Sequence, residues 1–289
     1  MPELPEVETV RLGLLPILKN KCIVKCEQFR PDLRWPLPEN MSDRLNGKTV
    51  NNIMRRSKYL LFDLSSGETL IVHLGMSGRL LVIRDEIKDV VSLASFYLKT
   101  QNYGQHDHII IHVEGGTRII YNDPRRFGAM DLFETERIME HKWLSHLGPE
   151  PLSDTFSTQA LMKILKNRKS CIKTALLNQK LIAGLGNIYV LESLWEAGVS
   201  PERPVNRISK VTLERLVFCI QRVLRAAISL GGTSLKDFRQ VGGDLGYFQN
   251  KLKVYGRDGK KCLKLNCSGR IKTIKHYGRT SFYCSHCQK

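Results

Sequence analysis

The chain has 289 residues, 45 of them Lys or Arg and 28 Asp or Glu, for a formal net charge of +17. That length accommodates two domains with a core each, and the positive excess selects a polyanionic partner, most simply nucleic acid. No run reaches transmembrane length and no basic amphipathic helix stands out, which sets a membrane surface aside. The eight cysteines, without a secretory leader, point to a reducing cytosol and not to a disulfide framework.

The chain opens Met1-Pro2-Glu3-Leu4-Pro5-Glu6-Val7-Glu8-Thr9-Val10. Prolines and glutamates ahead of Leu4, Val7, Leu14 and Leu15 predict a helix with an acidic first turn, too acidic and too weakly apolar for a signal peptide. Methionine before proline is commonly removed, and its loss would leave Pro2 with a secondary α-amine. Such an amine has a pKa of about 7.7–8.0 against about 10.4 for lysine, so far more of it is nucleophilic at neutral pH. Attack on an aldehyde carbon gives an iminium ion, an electron sink. Glu3 beside it could move protons, and Glu6, one turn on, could orient groups or water. The plainer reading is that these residues only start a helix.

Short β-type runs follow at 59–64, 69–74, 79–83, 108–113, 117–121 and 128–133, separated by turn signals such as Ser65-Ser66-Gly67-Glu68 and Glu114-Gly115-Gly116. Their spacing predicts antiparallel sheets in a sandwich with the first helix packed on them. Residues 84–105 fall outside the pattern and read as a surface excursion. Gly148-Pro149-Glu150-Pro151 reads as a hinge, after which the period becomes helical: Leu213, Leu216, Val217, Ile220, Val223, Leu224 and Ala227 share one face of a helix ending near Gly231-Gly232. Before it, the glycines of Gly184-Leu185-Gly186-Asn187-Ile188-Tyr189 precede a helix start and would let backbone N–H groups approach a phosphate.

Near the end, Cys262-x4-Cys267 and Cys284-x2-Cys287 flank a hairpin-sized insert. Paired thiolates at this spacing suit one tetrahedral Zn²⁺, and so small a unit would need the metal to fold. The site would be structural, since four thiolates leave no open position for water. His276 and His286 read as solvent or phosphate groups, and Cys22, Cys26, Cys171 and Cys219 as core thiols. A GxxxxGK[ST] nucleotide loop is absent from the sequence.

Together with Arg56-Ser57-Lys58-Tyr59-Leu60, His73-Leu74-Gly75-Met76-Ser77-Gly78, Asp123-Pro124-Arg125-Arg126-Phe127-Gly128 and Val254-Tyr255-Gly256-Arg257, these motifs resemble, over essentially the whole chain, the bacterial formamidopyrimidine-DNA glycosylase family. The resemblance implies an α+β fold: a catalytic β-sandwich domain over 1–134, a hinge over 135–151, a helix-two-turns-helix domain over 152–250, and a zinc finger over 251–289. It implies a two-lobed monomer that clasps duplex DNA in the bacterial cytoplasm at the nucleoid, flips out an oxidised purine, excises it and cuts the strand by β,δ-elimination.

On that likeness Pro2 is the nucleophile on C1′ and Glu3 the acid/base. Lys58 is the lysine of β-elimination, and Arg279 the arginine that grips the phosphates and assists δ-elimination. Met76, Arg125 and Phe127 fill the void left by a flipped base. His73, His106, Arg168, Lys173, Asn187 and Tyr189 join Arg125 as further DNA contacts, and the loop around 242–247 covers the flipped base. The family's first cysteine pair usually encloses two residues where this chain has four, a departure that enlarges the knuckle. The oxidised-pyrimidine branch of the family usually has glycine where this chain has Leu4. A zinc-ribbon DNA-binding protein without catalysis is the rival from another class; it explains the charge and the cysteines but not Pro2, Glu3 and Lys58.

Overall fold

The computed structural model describes residues 1–84, 104–233, 247–276 and 278–289. Most of the excursion expected over 84–105, and residues 242–246 of the expected lesion-covering loop, lie outside the described residues. By its internal contacts the chain forms two compact units: residues 1–145 with 231–247, and residues 146–230 with 248–289.

The first unit begins with helix α1 (Leu4–Leu18), which Pro5 helps to start because its missing N–H is one the first turn would not use. Val7, Val10, Leu14 and Leu18 enter the core, each contributing about 1.5–3 kcal/mol by leaving water. Among the described residues eight antiparallel strands follow: β1 (Lys21–Gln28), β2 (Thr49–Arg56), β3 (Tyr59–Leu64), β4 (Glu68–His73), β5 (Arg79–Arg84), β6 (Asp107–Val113), β7 (Thr117–Asn122) and β8 (Ala129–Glu134), with the short helix α2 (Met41–Leu45) between β1 and β2.

Their order is β5-β7-β6-β1-β2-β3-β4-β8. Strand β1 pairs with β2 through Lys21 and Cys22 and with β6 through Ile23 to Gln28, with a register shift between Ile23 and Lys25. One strand thus joins two layers whose inner faces share a core, with Ile53, Phe62 and Val72 from one side and Leu80, Ile109 and Ile119 from the other. This is the expected sandwich. Six strands match the predicted runs to within a residue or two; β1 and β2 were not read. In β1 the bulge disrupts the alternation of buried and exposed positions, and β2 carries Asn51-Asn52 at its own register shift.

Residues 135–145, expected in the hinge, pack on this unit. The ring of Trp143 stacks on Trp35 at 5.2 Å and on Tyr59 at 6.1 Å, and His141 bonds Asp131 at 3.1 Å.

The second unit holds α3 (Thr158–Leu165), α4 (Ile172–Leu177), α5 (Asn187–Ala197), the amphipathic α6 (Lys210–Ser229) and the hairpin β9 (Ile271–His276) and β10 (Arg279–Cys284). The expected face of α6 is buried from Leu213 to Ala227. The cysteine-bearing segment joins this unit because Glu192 of α5, 3% exposed, accepts N–H bonds from Lys253, Val254 and Tyr255 at 2.9, 3.0 and 2.9 Å. Burial raises the Glu192 carboxyl pKa, and the three N–H donors pull against that rise.

Candidate active site and nucleic-acid interface

In the first unit Pro2 is buried immediately ahead of α1, and Glu3, 4% exposed, occupies the N-cap position in extended backbone. Glu6 is committed to structure. Its Oε2 accepts the Glu3 N–H at 2.9 Å, and its Oε1 accepts both the N–H of Thr233 at 2.8 Å and the hydroxyl of Thr233 at 2.9 Å. The expectation that Glu6 orients substrate or water meets a carboxylate that instead pins the Pro2-Glu3 turn to a segment 227 residues away. Gly232, at φ +76, lets that segment pass: a Cβ there would lie 2.9 Å from Glu6 Oε1.

Lys58 is 7% exposed at the β2–β3 turn, where Ser57 takes the left-handed region at φ 56. The next residue, Tyr59, pairs in register with His73 at the end of β4, and their rings lie 4.9 Å apart. Nδ1 of His73 accepts the Gly75 N–H at 3.1 Å. Burial, then the nearby Lys58 and Arg34 cations, press the His73 pKa down to about 4, so the ring is neutral with its proton on Nε2. An ordinary imidazole is about nine-tenths protonated at pH 5.5. His73 will still be neutral there, and an NMR titration of the histidine ring signals will show it charging only near pH 4.

Met76, Arg125 and Phe127, expected to fill the void of a flipped base, sit on two loops clipped by one acid. Asp123, fully buried, accepts the Ser77 hydroxyl at 2.5 Å, the Tyr121 hydroxyl at 3.2 Å and the Gly128 N–H at 2.8 Å, while Ser77 Oγ accepts the Arg125 N–H at 3.2 Å. Met76 and Phe127 are left exposed at 37% and 44%, and the Arg125 guanidinium lies 4.7 Å over the Phe127 ring. Gly75, at φ +62, allows the loops to touch, because a Cβ there would strike the Phe127 backbone. Sequence reasoning did not assign Asp123 this role, although it opens the Asp123-Pro124 turn motif. Asp123→Ala would strand three buried donors and lower the unfolding free energy by about 3 kcal/mol or more, measurable as a reduced urea midpoint. His106 stands at the base of the same loop, its carbonyl accepting the Asp123 N–H at 3.0 Å.

In the second unit the glycine turn is held by Gln179, whose Oε1 accepts the Gly184 N–H at 2.8 Å and whose Nε2 donates to the Leu185 carbonyl at 2.7 Å. Asn187 then starts α5, and its Nδ2 donates to the Thr280 carbonyl at 3.0 Å, next to the exposed Arg279 at the start of β10. The helix start and the hairpin tip are therefore brought together. Arg168 is exposed, with Nε on the Ile164 carbonyl at 3.0 Å. Two expected DNA contacts are not at the surface. Tyr189 is fully buried against Phe248 at 5.8 Å, since its place in α5 points into the core, and Lys173 is fully buried with Nζ donating to Ser281 Oγ at 2.6 Å.

The Sγ atoms of Cys262, Cys267, Cys284 and Cys287 all lie within 4.8 Å of one another, with Cys262–Cys287 at 3.7 Å and Cys267–Cys284 at 3.6 Å. A tetrahedral ion with bonds of about 2.3 Å to sulfur sets its ligands about 3.8 Å apart, so the four thiols fit one such ion. Trp195 Nε1–H donates to Cys262 Sγ at 3.3 Å, supporting that ligand from outside the cluster. The four-residue knuckle closes on itself through the Cys267 N–H to the Lys264 carbonyl at 3.1 Å, and the hairpin keeps full register from Arg279 opposite His276 to Cys284 opposite Ile271.

Family models match the chain over residues 1–130, as the formamidopyrimidine-DNA glycosylase N-terminal domain, and over 147–239, as the H2TH domain of the same enzymes. The chain belongs to the formamidopyrimidine-DNA glycosylase family. Curated relatives so named, from Ruegeria pomeroyi and Roseobacter denitrificans, are each 51% identical to it over the whole of both chains. Among solved structures, Lactococcus lactis Fpg bound to DNA containing an abasic site superposes with a TM-score of 0.86 at 34% identity, both chains fully covered. A mutant of that protein with DNA containing Fapy-dG gives the same three values. Asp123, the Glu6–Thr233 contact and the Trp35–Trp143 stack are additions from the structure.

Proposed function

We propose that this protein is a bifunctional DNA glycosylase and AP lyase of base excision repair, acting as a monomer on oxidised purines in duplex DNA in the bacterial cytoplasm. The observation that carries the reading is Pro2, buried at the head of α1 beside the buried acid Glu3, in a chain of this family. The Pro2 nitrogen, once Met1 is gone, attacks C1′ of the damaged nucleotide as the base leaves with its bonding electrons. Glu3 protonates the ring oxygen so that the sugar opens, and the product is an iminium joining Pro2 to C1′. The iminium acidifies C2′–H, and loss of that proton expels the 3′ phosphate. Lys58 supplies charge and a proton there. A second elimination expels the 5′ phosphate gripped by Arg279, and water releases the sugar fragment from Pro2.

Met76, Arg125 and Phe127 occupy the gap that the flipped base leaves, offsetting a few kcal/mol of lost stacking. His73, His106, Arg168 and Asn187 hold the phosphates. The four cysteines would hold one Zn²⁺, which when bound crosslinks the hairpin bearing Arg279.

Borohydride reduction during reaction with a duplex carrying one 8-oxoguanine tests the reading. A covalent DNA adduct on Pro2, found by mass after digestion, supports it. An adduct only with thymine glycol would move the substrate to oxidised pyrimidines, and tight binding without any adduct would leave a DNA-binding protein.

A further inference from the structure

Lys173 is fully buried, and no carboxylate pairs with it among the described residues. Its ammonium donates to Ser281 Oγ at 2.6 Å, and Ser281 Oγ lies 2.6 Å from His276 Nδ1. An ammonium has no lone pair to accept with, so the serine oxygen must be its acceptor, and the serine proton is then left to donate onward. His276 Nδ1 is the atom it reaches. The imidazole is thereby fixed neutral, with its proton on Nε2, and that atom has no partner among the described residues.

The charges agree. Burial and then the Arg279 cation hold Lys173 down to about 8, against an opposing pull from Cys171. Burial and then Lys173 hold the His276 pKa below the usual imidazole range, with Glu202 opposing. A second positive charge on the ring would face the first across one hydroxyl.

The hairpin decides where the ring points. His276 ends β9 directly opposite Arg279, the first residue of β10, and Ser281 stands two residues further along the same strand. Cross-strand partners share a face of the sheet, and so do residues two apart. His276, Arg279 and Ser281 are therefore on one face. Only Arg279, among these three, has been given work.

We infer that His276 is a further DNA-phosphate contact, its Nε2–H joining the Arg279 guanidinium on the strand at the hairpin tip, with Ser281 and Lys173 as positioning residues that hold the ring in the donating tautomer. The assignment rests on the duplex-binding reading above and deepens it. It also gives the buried Lys173 a role in binding that it cannot perform by contact. His73 shows the same device in the other unit, where a backbone N–H instead of a hydroxyl occupies Nδ1.

The test is the affinity for a duplex carrying a tetrahydrofuran abasic analogue, measured from low to high KCl, with bound zinc and circular dichroism as folding controls. A hydrogen bond to a charged oxygen is lost in His276→Phe, which should bind about tenfold more weakly. Because the ring carries no charge, the slope of log affinity against log salt should not change. Arg279→Gln should weaken binding and make the slope shallower by about 0.9. Ser281→Ala and Lys173→Met should follow His276→Phe, and Ser281→Thr, which keeps the hydroxyl, should restore affinity. Nitrogen NMR of the unaltered protein, which needs no variant, should find the His276 proton on Nε2. Wild-type affinity in a folded His276→Phe chain, a slope reduced by about 0.9 in that chain, or a proton on Nδ1 would each overturn the proposal. If the wild-type chain does not hold the abasic duplex at all, the parent reading fails instead.

Discussion

A preparation that retains Met1 will bind a lesion-bearing duplex, release no base and leave no borohydride-stable adduct. In that chain the Pro2 nitrogen is a tertiary amide with its lone pair delocalised into the carbonyl, so it has nothing to offer C1′. Removing the methionine turns the same atom into a secondary amine with a pKa near 7.7–8.0, neutral often enough to attack. Mass spectrometry of the intact chain before and after treatment with a methionine aminopeptidase, paired with the trapping assay, would show activity appearing with the loss of one residue. Base release by the Met1-retaining chain would remove Pro2 from the mechanism. The companion variant Glu3→Gln keeps the amine and loses the acid, so base release should slow by about 10²–10⁴-fold while affinity for an abasic-analogue duplex is kept.

The second large effect is expected at the cysteines. Extracting the metal with a chelator, or replacing Cys267 or Cys284 by serine, should unfold the segment from Lys253 to Lys289 and weaken duplex binding by about 100-fold, because several phosphate contacts are lost together. Thiolate sites of this kind contribute about 10–16 kcal/mol to folding in zinc-finger peptides, and among the described residues Ile271, Cys284 and a few neighbours, packed on Trp195 and Leu191, form a small apolar cluster around the site. Trp195 is the natural reporter, since its indole donates to Cys262 Sγ, and its fluorescence should shift as zinc leaves. The sandwich has its own core and should keep its thermal transition. A metal-free chain with unchanged fluorescence and unchanged affinity would show that the cysteines are only a packed cluster.

What could be read from the sequence followed local rules. Strands β3 to β8 are bounded by turn residues and carry dense apolar runs, α6 keeps a helical period over five turns, and paired cysteines declare themselves by spacing. What could not be read depends on partners far apart in the chain. Glu6 looked available for chemistry because nothing nearby in sequence hints that Thr233 will take its carboxylate. Lys173 looked like a surface cation until the hairpin brought Ser281 to it. Asp123 was seen only as the first residue of a motif, and the Ser77 hydroxyl that it accepts comes from 46 residues away. Strands β1 and β2 failed for a different reason: their register shifts break the alternation on which recognition of a strand relies.

The Glu6–Thr233 pin also sets an order of events during synthesis. Ribosomes add about 5–20 residues per second, so the 227 positions between these partners take roughly 10–45 s to appear. For all that time Glu6 lacks the Thr233 N–H and hydroxyl donors, and the turn carrying Pro2 lacks that fastening. In the folded chain that still carries Met1, Pro2 is buried and Met1 is exposed. The turn that carries Pro2 is therefore fastened only late in synthesis, by a residue 227 positions further along the chain.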